Sequence, residues 1–153
     1  MATTTFQGIV RSNGGAGKGN ATPSVVTLSE VISFDPTAAS ATNVRIGTSS
    51  SSGETFVLPT GAVPVSFMTI GGATGGTNPT VDIGTSADDD GFFNEADADT
   101  KGSLKGADGA LVDGDGIAAD VTVTGMKGAS AATGGTIVGV FTYTVADSGA
   151  ESN

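Results

Sequence analysis

Cysteine, histidine and tryptophan are absent, and tyrosine occurs once, at Tyr143. Without thiol or imidazole, the chain can form no disulfide, no Cys- or His-ligated metal centre, no Ser–His or Cys–His nucleophile pair and no histidine switch. Cations are scarce too: six Lys and Arg stand against sixteen Asp and Glu, a formal charge of −10. Nucleic acid and anionic membrane repel such a chain, so neither is an expected partner. No apolar run approaches the ~18 residues of a membrane helix. Met1-Ala2-Thr3-Thr4-Thr5 has neither the basic start nor the apolar stretch of a secretory leader, so synthesis in a cytoplasm is expected.

Small residues are abundant instead: 25 Gly, 20 Ala, 22 Thr and 15 Ser among 153 positions. The length suits one domain with a modest core. Val and Ile total 22 against four Leu, and Thr adds 22 β-branched side chains, the reverse of a helical composition. Alternation places Val63, Val65 and Phe67 on one face of a strand, Val121 and Val123 on another, and Ile137, Phe141, Tyr143 and Val145 on the longest and most central one. Shorter candidates run over Val25 to Leu28, Val31 to Phe34, Asn43 to Ile46, Glu54 to Leu58 and Thr80 to Ile83. Only Asp90 to Ala96 offers a helical turn, with Phe92 and Phe93 anchoring it to the core. The expectation is an all-β chain: a single antiparallel β-sandwich, jelly-roll-like, with an extended N-terminal arm.

Residues 1–20 read as that arm, residues 21–147 as the sandwich and residues 148–153 as a polar tail. In the arm, Phe6, Ile9 and Val10 are isolated apolar anchors followed by a Gly-rich stretch that cannot hold regular structure. Ala73-Thr74-Gly75-Gly76-Thr77 recurs as Ala132-Thr133-Gly134-Gly135-Thr136, which suggests two hairpin tips whose Gly pairs supply positive φ.

Candidate chemistry is thin. Asp97, Asp99, Gly102 and Asp108 fall at calcium-loop spacing, but Lys101 occupies a ligand position and no helices flank the loop. An irregular calcium loop drawn from Asp88, Asp89, Asp90, Asp97, Asp99, Asp113 and Asp115 competes with plain turn chemistry, which also favours Asp beside Gly. Gly17-Lys18-Gly19 leads into Asn20 rather than Ser or Thr, unlike a phosphate loop. Paired acids without aromatic platforms argue against a glycosidase. No catalytic residue, cofactor or metal is assigned, and the chain is not expected to be an enzyme.

Charge is segregated along the chain. The first 29 residues carry Arg11 and Lys18 and no acid, whereas residues 88–120 carry ten acids against Lys101 and Lys105. The arm is therefore expected to lie across a neighbouring protein surface, with Phe6, Ile9 and Val10 in grooves and Arg11 and Lys18 on acidic surface.

The order of motifs adds a resemblance. Gly53 to Val65 reads GETFVLPTGAVPV, residues 71–92 read GGATGGTNPTVDIGTSADDDGF, and Phe6 to Gly14 precede them. Over roughly residues 5–100 the chain resembles small virion structural proteins of tailed bacteriophages, marine and cyanobacterial ones especially, that decorate or cement the head. The resemblance implies a jelly-roll-like domain, assembled as a homotrimer or other ring, bound to the major capsid protein on the outer surface of the virion, with no enzyme activity and no cofactor. A head fibre, knob or tail-associated adhesion module is the alternative, and a non-viral, calcium-stabilised binding module a third reading.

Overall fold

The β-branched segments pair edge to edge in the computed structural model, which describes residues 25–112 and 116–146. The proposed arm and tail, with Phe6, Ile9, Val10, Arg11 and Lys18, lie outside the described residues, as do Asp113 and Asp115. The described strands are β1 (Val25–Phe34), β2 (Thr42–Asn43), β3 (Arg45–Ile46), β4 (Val57–Leu58), β5 (Ala62–Thr74), β6 (Thr80–Gly84), β7 (Phe93–Asp97), β8 (Leu104–Gly106), β9 (Val121–Thr122), β10 (Thr124–Lys127) and β11 (Gly134–Ala146). All pairings are antiparallel: a five-stranded sheet ordered β3-β1-β11-β5-β8, a four-stranded sheet ordered β2-β10-β6-β7, and a β4-β9 ribbon. The expected all-β sandwich is what forms, with β11 in the middle of the larger sheet.

Aromatic rings join the two sheets. All six described phenylalanines are fully buried, and Phe141 sits among them, 5.2 Å from the Phe56 and Phe93 centroids and 6.3 Å from those of Phe92 and Tyr143. The edge-to-face angles, 68° to Phe56 and 89° to Phe93, set positive ring edges against negative faces. Two glycines let rings lie flat on the backbone. A Cβ at Gly139 would strike the Phe67 ring, and one at Gly125 would lie 2.6 Å from the Phe34 ring.

Four expectations need correction. Asp90 to Ala96 contains no helix; β7 occupies its second half, because Phe92 N–H and Ile83 C=O bond at 3.0 Å and close a β6–β7 hairpin. Phe92 and Phe93 still anchor this segment: Phe92 precedes the strand, and a register irregularity with Glu95 at φ 54° readjusts the pairing of the rest of β7. Val63, Val65 and Phe67 do not share one buried face. Tyr143 pairs with Pro64 and Thr142 with Ser66, so Val65 is an inserted bulge residue, 42% exposed, while Phe67 is buried. The repeated Ala-Thr-Gly-Gly-Thr segments are not hairpin tips. One leads from β5 to β6 and the other from β10 to β11, each passing between the sheets, and they lie side by side, Gly134 opposite Thr74. Positive φ is found at Gly75, Gly76 and Gly135 but not at Gly134. Finally, the two segments read within residues 25–34 are one continuous strand, and Glu54 to Leu58 contributes only β4 and a bridge from Thr55 to Arg45.

Candidate functional site

The two sheets present opposite chemistry. Around the four-stranded sheet, carboxylates are woven into the backbone. Asp82 accepts the Glu95 N–H at 2.8 Å; Glu95 in turn accepts the Ala129 N–H at 2.7 Å and the Thr80 hydroxyl. Burial pushes the Asp82 carboxyl above its ordinary range, with the Glu95, Asp90 and Asp89 charges adding to the rise. Between β6 and β7, Asp88, Asp89 and Asp90 bring carboxylate oxygens within 4.8 Å of one another. Sharing a hydrogen bond with Asp90 raises Asp88. Of the acids weighed for calcium, only these three converge among the described residues, and Asn94 already donates to Asp90 at 2.9 Å.

The other sequence candidates are committed elsewhere. Asp97 closes its own turn, accepting N–H groups of Asp99 at 3.0 Å and Thr100 at 2.9 Å; burial opposes ionisation, but these bonds hold the carboxyl low. Asp108 pairs with Lys105 at 2.6 Å and accepts the Asn94 N–H at 3.1 Å, which together outweigh burial and lower it. With β8 running between them, Asp97 and Asp108 do not bound a calcium loop. Asp120 is lowered by the Thr60 N–H at 2.8 Å and the Thr60 hydroxyl at 2.9 Å. Beside it lies an open cleft of about 420 Å³ whose apolar wall is Phe92, Leu111, Ile117 and Val121.

The outer face of the five-stranded sheet is different. Paired residues point to the same side, so Phe141 and Phe67 inward place their neighbours outward. One outward row runs Val31, Val140, Met68 and Leu104 across four strands. The next is Ser29, Thr142, Ser66 and Gly106; beyond it come Thr27, Thr144 and Val63. On the other side stand Arg45, Ser33 and Val138. None of these residues is an acid, and Arg45 is the sole charge among them, its guanidinium bonded to the Thr55 hydroxyl at 2.8 Å. Leu104 is 66% exposed and Val31 37%. The apolar row was not anticipated from the sequence. Its signal was present in the outward positions 27, 29, 31 and 33 of β1, all uncharged, but aligning four strands needs a register that the sequence does not print.

No family model matches the chain, and no curated protein matches it. Among solved structures, a chain of the cyanophage Pam1 capsid asymmetric unit shares the fold with TM-score 0.52 and 18% identity, over 94% of this chain and 98% of that one. The likeness at this identity is one of fold.

Proposed function

We propose that this protein is a structural component of a bacteriophage virion, a jelly-roll-like domain that decorates or cements the outer surface of the capsid as a homotrimer bound to the major capsid protein. The observation that carries the reading is the end-to-end fold likeness to a chain of a cyanophage capsid, 94% of one covering 98% of the other. The motif order within residues 5–100 points the same way. The role is structural rather than catalytic and uses no cofactor. In this reading Phe6, Ile9, Val10, Arg11 and Lys18 contact the shell, and many equivalent weak contacts sum over the lattice.

The test is sedimentation of DNA-filled particles with quantitative mass spectrometry of the pellet. Co-sedimentation at hundreds of copies per particle is the expected result. A few copies per particle would reassign the protein to a fibre, knob or tail, and recovery only in slow fractions would overturn the virion reading. Deleting residues 2–20 should abolish binding to shells while leaving the β circular-dichroism spectrum intact; full binding by the deleted chain would remove the arm from the mechanism.

A further inference from the structure

The solvent face of an antiparallel sheet is ordinarily where charged residues collect. Here the chain carries sixteen acids, yet the outward register of the larger sheet has none. Of the exposed large hydrophobics, Val25, Val31 and Leu104 stand in that outward register and Val65 and Ile70 sit at irregularities of β5; Ile46 pairs with the inward Ile32, Val57 lies in the β4–β9 ribbon and Leu111 in a loop, and none belongs to a strand of the four-stranded sheet. From this geometry we infer that copies of this chain associate through the outer face of the five-stranded sheet, with the Val31–Val140–Met68–Leu104 row at the centre of the contact.

Charge selects the occupant. Two chains of −10 repel at any surface bearing carboxylates, and this face lets them meet while their acidic sheets point apart. Its make-up also fits: interface cores are depleted in charge and built around an apolar centre with a polar surround. The Ser29, Thr142 and Ser66 row, where the Ser29 and Thr142 hydroxyls already bond at 3.1 Å, supplies that surround without desolvating an ion. Size is modest. The three long strands β1, β11 and β5 at ~4.8 Å spacing and about 33 Å length give roughly 480 Å² in plan, to which the two residues of β3 and three of β8 add little, so the contact is smaller than the ~800 Å² per partner of stable interfaces and fits a concentration-dependent association. A contact between two identical faces closes as a two-fold pair, so it is distinct from the trimer contact of the proposed function and does not depend on the protein being bound to a capsid.

Sedimentation velocity of the purified full chain, without particles, tests it. The wild-type chain should sediment as an oligomer. Leu104→Glu and Met68→Glu should each weaken association at least tenfold, and Met68→Leu should leave it unchanged. Leu104 is exposed, so its substitution leaves the fold intact even if Met68→Glu does not, and circular dichroism checks both. A monomeric wild-type chain at high micromolar concentration overturns the inference, as does an oligomer indifferent to Leu104→Glu. Particle binding by a monomeric chain would retain the virion reading while overturning this one.

Discussion

The two sheets of this sandwich share one core and differ in everything else. The five-stranded sheet is long-stranded, rich in Val, Ser and Thr outside, and free of carboxylates on that face. The four-stranded sheet has shorter strands and acids that cap turns, accept backbone N–H groups and crowd one another at Asp88, Asp89 and Asp90. The lesson is a division of labour: one sheet is free to be covered, and the other carries the charge that keeps copies apart and so orients them.

The sharpest way to break that comparison is to remove what the sheets share. Phe141 on β11 touches Phe56, Phe92, Phe93 and Tyr143, so Phe141→Ala should cost about 3–5 kcal/mol in equilibrium unfolding. A loss below about 1 kcal/mol would mean that the sheets are stable separately and that the sandwich is not one cooperative unit.

Next come two glycines, one in each sheet, against which rings of the larger sheet lie: Phe67 of β5 on Gly139 and Phe34 of β1 on Gly125. Gly139→Ala must displace the Phe67 ring and also meets Met68 C=O at 2.9 Å, whereas Gly125→Ala meets only the Phe34 ring among its nearest neighbours. Both should destabilise by about 1–3 kcal/mol, the Gly139 variant more, because backbone yields less than a side chain. Thermal melts of the two variants decide it, and a reversed order would show the larger sheet to be the more deformable one.

Strand existence was legible because β-branched alternation is a local property: β11 behaves as its pattern requires, with Ile137, Phe141 and Tyr143 inward. Positions that depend on two strands at once were not. Val65 is thrown outward by an insertion against Tyr143 and Thr142, which no reading of one strand can reveal. The segment at Asp90 to Ala96 misleads for a similar reason, since its Phe-Phe pair is satisfied by a partner strand rather than by helical periodicity. The acids were all visible, but which of them converge was set by the β6–β7 turn. The apolar row appears only after four registers are fixed.

Acidification separates the sheets by a smaller effect. Asp82 and Asp88, raised in the folded state, oppose folding at neutral pH, and their protonation as pH falls relieves that opposition. Asp97, Asp108 and Asp120 are lowered; the stability they contribute is present above the ordinary carboxylate range and is lost as pH falls through their folded values. The melting temperature should therefore rise slightly as pH falls from neutrality toward the ordinary carboxylate range, and drop once pH falls through that range. Asp82→Asn should flatten the rise and leave the acid-side fall in place. A monotonic decline from pH 7.5 in the wild type would deny that Asp82 is held high by its surroundings.

The smallest effect probes one hydroxyl in each sheet. Ser33 Oγ on β1 and Thr124 Oγ1 on β10 are buried without a hydrogen-bond partner among the described residues. A buried hydroxyl that makes no bond carries its desolvation cost with nothing in return, so replacing it by an apolar group of similar shape is neutral to stabilising. Ser33→Ala and Thr124→Val should each raise stability by at most about 1 kcal/mol, measured by denaturant midpoint at constant slope. Ser33 shares the outward register of the apolar row but is fully covered there, and Thr124 is buried in the opposite sheet, so neither Ser33→Ala nor Thr124→Val should alter self-association. Association weakened by Thr124→Val but not by Leu104→Glu would place the contact between copies on the acidic sheet and invert the division of labour argued above.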